Sequence, residues 1–186
     1  MAWLGYELGK RTELQERIRA EVRGEFGNET ITFSSLCNLP LLRATIIEVL
    51  RHHSPAWVID RESIGEQQIG SVKIESGTNL ILCIQSMHRN ERYWNEPLRF
   101  QEARFLDGKP ASAWMPFGAG PRQCIGQHLA MMQIQATFAY LLRDYEIRLV
   151  KRVPPRKLYS LTLHMISSLP FDLSVETQGL RQRTWL

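Results

Sequence analysis

"PFGAGPRQCIGQHLA", residues 116–130, sets a cysteine two residues after an arginine and two before a glycine, where a Gly/Pro-rich turn gives way to an apolar-periodic run. The turn residues Pro116, Gly118, Gly120 and Pro121 read as loop. The run that follows predicts the strongest helix of the chain, over 124–143, with Ile125, Leu129, Met132, Phe138 and Leu141 largely on one face. A cysteine at such a junction sits in positive potential, because N–H groups at a helix N-terminus lower a thiol's pKa and can hydrogen-bond to its sulfur. Gly118, Gly120 and Gly126 carry no Cβ, so a large flat cofactor can approach Cys124 closely. Arg122 adds a cation suited to a ligand carboxylate, and Phe117 can shield the sulfur from water.

Around this centre the composition is that of an ordinary globular protein. The chain has 186 residues, 44% apolar and 23% charged, enough for one domain or a piece of a larger one. A net charge of +4 is too weak to argue for nucleic acid as partner. Three widely spaced cysteines, Cys37, Cys83 and Cys124, form no CxxC pair. That argues against a disulfide framework or a structural zinc site and for a reducing compartment. No stretch approaches the roughly 20 apolar residues of a membrane span, and "MAWLGYELGK" lacks a secretory signal, so the chain reads as soluble or cytoplasmic as given.

Working outward, residues 2–11 read as the end of a helix without a cap. Thr12 reads as an N-cap, with Gln15 at capping-box spacing, followed by an amphipathic helix striped by Leu14, Ile18 and Val22 and closed by Gly24 and Gly27. Residues 28–38 read as a polar connection. "LPLLRATIIEVLRHH" predicts a helix with Pro40 at its start, Leu42, Ile46, Val49 and Leu50 periodic, and Pro55 at its end. "AWVIDRESI", "EQQIGSVKI" and "TNLILCIQS" predict short strands of a small sheet, with Gly70 at a turn or bulge. Residues 86–121 read as an unusually long loop, a feature often tied to function. The tail shows three β-like runs and a basic loop, "KRVPPRK". The fold class expected is mainly α with a small β-sheet (α+β).

"FGAGPRQCIG" resembles the haem-binding motif of the cytochromes P-450, FxxGxRxCxG: Phe117, Gly120, Arg122, Cys124 and Gly126 meet all five fixed positions. By ordinary residue usage such a match arises by chance on the order of 10⁻⁵ to 10⁻⁴ in a chain this long. Glu48 and Arg51 in "IIEVLRHH" resemble the family's ExxR pair, one face of a helix. "RFQEARFL" resembles its PERF stretch, with Glu102 and Ala103 in place of Pro and Glu but Arg104 and Phe105 kept. Arg61 resembles the strand arginine that reaches a haem propionate; the plain alternative is a surface pair with Asp60 or Glu62. "MHRNERYW" resembles the family's HRDPxxW stretch, which makes His88 structural and not an iron ligand. A Cys124–His128 nucleophile pair lacks any oxyanion-hole motif or third partner. Cys37 and Cys83 read as ordinary buried or half-buried residues.

The resemblance covers essentially the whole chain and corresponds to the C-terminal portion of a family member, from the end of the long central helix onward. It makes residues 1–186 a single partial domain. It implies haem as cofactor, Cys124 as the axial ligand of its iron, and haem contacts from Phe117, Gly118, Gly120, Arg122, Gly126 and Arg61. Glu48, Arg51 and Arg104 would form a structural cluster. The implied activity is monooxygenation: thiolate donation to iron favours cleavage of O2, and one oxygen atom enters a small apolar organic substrate. Electrons would come from a redox protein, a ferredoxin or flavoprotein reductase, because no flavin or dinucleotide motif is present. Lys109 and Arg122 could face that donor. The family's oxygen-activating acid and threonine, much of its substrate pocket and any membrane anchor would lie before residue 1. A peroxide-using or rearranging haem-thiolate enzyme, and a truncated non-catalytic product, are the alternatives. "SPAWVI" and "SSLPFD" are the stretches expected to reach the substrate, and apolar faces are expected to stand uncovered.

Overall fold

The computed structural model describes residues 1–107, 112–150, 154–166, 171–177 and 180–184. It opens with two helices, α1 (Ala2–Lys10) and α2 (Thr12–Phe26), joined where Arg11 leaves the helical region at φ −123°, ψ 72°. Thr12 is therefore the first helical residue and not the cap. Gln15 does not close a capping box either, because it turns into the core. Its Nε2 donates to the Ile147 carbonyl at 3.0 Å, and its Oε1 accepts from the Ile147 N–H at 2.6 Å. The amide thus acts as one residue of an added strand along β5 (Tyr145–Leu149). Leu14, Ile18, Val22 and Phe26 form the buried stripe of α2; Gly24 lies inside the helix, and Gly27 ends it at φ +50°.

α3 (Pro40–His52) follows a single 3₁₀ turn at Ser34–Asn38. Pro40 begins it, where the missing N–H costs nothing. The next two N–H groups, of Leu41 and Leu42, donate to the Glu21 carboxylate of α2 at 2.6 and 2.9 Å. Leu42, Ile46, Val49 and Leu50 are buried as their spacing predicts, and the helix stops at His52, before Pro55.

The middle region forms two separate antiparallel ladders. β1 (Ile59–Glu62) pairs with β4 (Asn79–Leu82), Ile59 opposite Leu82, and β2 (Gln67–Ile69) pairs with β3 (Val72–Ile74). Gly70, at φ +60°, makes the turn of the second ladder. The last predicted strand stops at Leu82, where the chain enters the short helix α4 (Ile84–Met87). Two 3₁₀ turns, Glu102–Phe105 and Gly120–Arg122, punctuate the long loop that follows.

α5 (Gln127–Asp144) starts three residues later than its apolar period predicts. Residues 124–126 remain in the preceding turn, Ile125 and Leu129 are 101% and 54% exposed, and the buried stripe is Gln135, Phe138, Ala139 and Leu142. The helix runs directly into β5, which pairs antiparallel with β8 (Phe171–Thr177), itself paired with β9 (Leu180–Thr184). A last hairpin joins β6 (Lys157–Tyr159) to β7 (Leu163–Met165). The fold is α+β, mainly helical with small antiparallel sheets, as expected. One core lies among α1, α2, α3, α5 and β5. A smaller one, Ala44, Ile47, Trp94, Phe105 and Ala113, lies between α3 and the long loop.

Candidate functional site

The cysteine loop is built by its own backbone. Gly118 donates its N–H to Met115 O at 3.0 Å and adopts φ +75°; Gly120 adopts φ +72° and opens a 3₁₀ turn closed by Gln123 N–H to Gly120 O at 3.0 Å. Both φ values favour glycine. The Cys124 N–H donates to Phe117 O at 2.9 Å, which folds the loop back on itself and leaves the cysteine exposed. Gly126 is the N-cap of α5 and offers no side-chain cap. The first N–H groups of this helix, an element long enough to carry a full dipole, therefore end in front of the loop. A Cβ on Gly126 would lie 4.0 Å from the Cys124 Sγ, filling the space beside the sulfur.

A cleft of about 810 Å³ opens over this cysteine. Its polar lining includes Arg61 and Arg122, and its apolar wall includes Pro55, Ala56, Ile59, Ile64 and Phe117, with Thr162 at one side. Arg61 Nη1 donates to the neighbouring Asp60 carbonyl at 2.7 Å. Asp60 and Glu62 also line the cleft, yet among the described residues neither arginine is paired with a carboxylate. Two guanidinium groups and one exposed thiol thus share a single concave surface. Of "SPAWVI", residues Pro55, Ala56 and Ile59 line it; residues 167–170 of "SSLPFD", and Lys109, lie outside the described residues.

Behind the loop, Glu48 and Arg51 of α3 are both fully buried. Arg51 grips the carboxylate with two donors, Nε to Oε2 at 2.7 Å and Nη2 to Oε1 at 2.8 Å. Its remaining donor reaches the carbonyls of His88 at 2.6 Å and Pro97 at 2.7 Å. Glu48 Oε1 also accepts the Gln101 N–H at 2.8 Å, and Arg104 Nε stands 3.6 Å away. Burial opposes the Glu48 charge, but Arg51, His52 and the Gln101 N–H hold its carboxyl below the usual carboxylate range. The Arg51 guanidinium lies 5.0 Å from the Trp94 ring, and rings continue from Trp94 through Phe105 and Trp114 to Phe117 at 6.0, 6.4 and 6.2 Å.

His88 is fully buried and structural in its contacts: its Nε2 accepts the Met115 N–H at 3.0 Å, and its Nδ1 lies 2.9 Å from Ser54 Oγ. His128 is exposed beside Gln127. Cys37 is exposed, not buried, because Leu36 takes the inward position of its 3₁₀ turn; Cys83 is half-buried, 3.1 Å from Ser86 Oγ. No group of three or more His, Cys, Asp or Glu side chains able to hold a bare metal ion occurs among the described residues. Sequence reasoning missed Gln15, Glu21 and Arg19, whose guanidinium is buried and donates to Leu142 O at 3.0 Å and Tyr145 O at 2.9 Å. Gln15 and Arg19 are polar residues on the buried stripe of α2, the signal that was available, and Glu21 is half-buried beside it.

A loop-borne cysteine before a helix, a buried Glu-Arg pair on α3, and small antiparallel sheets are the arrangement expected of a haem-thiolate protein. The profile of the cytochrome P450 family matches residues 1–175, and the chain belongs to that family. It is 33% identical over 187 residues to cytochrome P450 4c21 of Blattella germanica, covering 96% of this chain and 37% of that protein. It is 35% identical over 153 residues to the steroid 17-alpha-hydroxylase/17,20 lyase of Equus caballus, covering 78% of this chain and 30% of that one. Against the probable cytochrome P450 6t3 of Drosophila melanogaster it is 30% identical over 164 residues, 82% of this chain and 33% of that one. The chain thus spans about a third of the length of these relatives. The family is one of haem-thiolate oxidoreductases. No helix among the described residues is long and apolar enough to cross a membrane.

Proposed function

We propose that residues 1–186 form the haem-binding, C-terminal portion of a haem-thiolate monooxygenase, a single partial domain, with Cys124 as the axial thiolate. One observation carries this reading: the exposed Cys124 and two arginines without carboxylate partners, Arg61 and Arg122, line one cleft. These residues fit haem. A porphyrin supplies its metal with four donors, so a single protein thiolate suffices, and its two carboxylates call for cations such as Arg61 and Arg122. When bound, haem iron supplies the activation of O2, and a thiolate ligand pushes electron density toward it.

The chain's own residues do the rest. α5 begins three residues after Cys124 and directs its first N–H groups toward the cysteine loop. Gly126, Gly118 and Gly120 keep the loop side free of Cβ atoms, while Phe117 covers it from the protein interior. Glu48, Arg51 and Arg104 fix the long loop that presents the cysteine. The apolar wall at Pro55, Ala56 and Ile59 suits a small apolar organic substrate, and an electron-donor protein, a ferredoxin or flavoprotein reductase, would approach from the loop side. Removing each arginine tests the haem contacts: R61A and R122A should each weaken haem affinity about ten- to a hundredfold, the worth of a charge-assisted hydrogen bond. Haem titrations of both variants indistinguishable from the parent would refute it.

A further inference from the structure

We infer that Trp57 is a positioning residue: its indole N–H holds the 160–162 turn at the side of the Cys124 cleft, and so sets how an apolar ligand fits there. The inference rests on the haem-thiolate reading above and adds to it a residue that the family motifs do not include.

Trp57 follows Pro55 and Ala56 on the segment between α3 and β1. Its Nε1–H donates to the Ser160 carbonyl at 2.8 Å. Its ring meets Tyr159 edge-on, with centroids 5.1 Å apart and planes at 71°. Its own carbonyl accepts the Gln85 N–H at 3.1 Å, which ties it to the start of α4. At the other end of the turn, the Leu163 N–H donates to Pro55 O at 2.9 Å. The β6–β7 turn is therefore attached to residues 55–57 on both sides, by a side chain at Ser160 and by the backbone at Leu163.

Between these attachments, Ser160 N–H and Oγ both donate to Thr162 O, at 3.2 and 3.1 Å. Leu161 at the tip is 94% exposed, and Thr162 lines the cleft that holds Cys124. The ladder beneath pairs only three residues of each strand, Lys157–Tyr159 with Leu163–Met165. A two-stranded hairpin that short has little stability of its own. Its position at the side of the cleft depends on what it is attached to: the buried Leu163 side chain, the Pro55 carbonyl, the Gln85–Tyr159 hydrogen bond and the indole N–H, of which the indole bond is the one made at Ser160, in the turn itself. A turn held in place gives the cleft a fixed wall at Thr162; a loosened one does not.

The test uses the complete haem-loaded polypeptide that contains this chain, as parent and W57F. W57F keeps an aromatic ring against Tyr159 and removes the N–H together with part of the ring. Amide hydrogen exchange over residues 158–163 should quicken about five- to tenfold in W57F, the loss of one ordinary hydrogen bond, with β5 amides unchanged as the folding control. Iron-binding imidazoles probe the cleft by absorbance. The Kd of 4-phenylimidazole should shift in W57F, while that of unsubstituted imidazole stays at the parent value. Unchanged exchange in W57F, or quickened exchange with an unchanged 4-phenylimidazole Kd, overturns the role of Trp57 while the parent's haem spectrum stands. A parent polypeptide that takes up no haem overturns the haem-thiolate reading itself, and the role of Trp57 falls with it.

Discussion

The Arg51 guanidinium donates to the Glu48 carboxylate and to the carbonyls of His88 and Pro97, its Nη2 also lies 2.7 Å from His52 Nε2, and Glu48 is the acceptor that neutralises it. Replacing Glu48 with Gln keeps the shape and removes the charge. Such a change leaves a buried cation unmatched, which costs about 3–5 kcal/mol; E48Q should show that loss in denaturant unfolding, and a loss under 1 kcal/mol would mean the cluster is not a structural centre. His88 offers a pH test. Burial pushes its imidazole down to about 4, with the charge of Arg51 adding to the effect against its hydrogen bonding. The folded state therefore binds this proton less readily than the unfolded chain. The stability that neutral His88 contributes is complete above the ordinary histidine pKa of about 6.5 and is lost as pH falls from there to about 4, a total on the order of 3 kcal/mol. Burial pushes His53 down to about 4 as well, so it titrates in the same window. His88→Gln keeps an acceptor for the Met115 N–H, and its unfolding free energy should fall less between pH 7 and pH 4 than the parent's. Parallel profiles would show that another group titrates.

At the scale of elements, α5 runs directly into β5, and side chains of α2 hold the junction. Arg19 takes carbonyls at the end of the helix, and Gln15 takes both backbone groups of Ile147. Gln15→Ala would leave a buried N–H and C=O unmatched, each worth about 1–3 kcal/mol. Exchange at the Ile147 amide should quicken accordingly; an unchanged rate would mean that solvent or a neighbour replaces the glutamine. These tertiary uses explain where the sequence was and was not legible. The apolar stripes of α2 and α3 were readable because burial repeats with the helical period. So was the cysteine loop, where the φ values of Gly118 and Gly120 are a local need written in the local residue type. The start of α5 was misplaced because Ile125 and Leu129 are apolar but exposed, and periodicity cannot tell a core face from a face that meets something else. Gln15 was misread as part of a cap because its true partner is 132 positions away. The division of the middle region into two ladders depends on register that no single strand carries. Glu48 and Arg51 were found only through a family pattern, since spacing alone describes any surface pair.

Across the whole molecule, apolar side chains stand uncovered on several faces: Phe33 at 70%, Ile64 at 93%, Ile81 at 72%, Leu98 at 74%, Ile125 at 101% and Leu161 at 94% exposure. Ile64 lies in the Cys124 cleft. These side chains, with the apolar wall of the Cys124 cleft, offer surface for association. The 186-residue polypeptide in isolation should therefore bind a hydrophobic dye and self-associate, and haem should reduce the dye signal; a monomer with no dye binding would contradict this. The central claim is narrower and rests on the sulfur at the mouth of α5. The most direct measurement is the carbon-monoxide difference spectrum of the reduced, haem-loaded complete polypeptide, taken for the parent and for C124S. The parent should give the band of a thiolate-ligated haem, and C124S should lose it. The same band in both would contradict the assignment of Cys124 as the axial ligand.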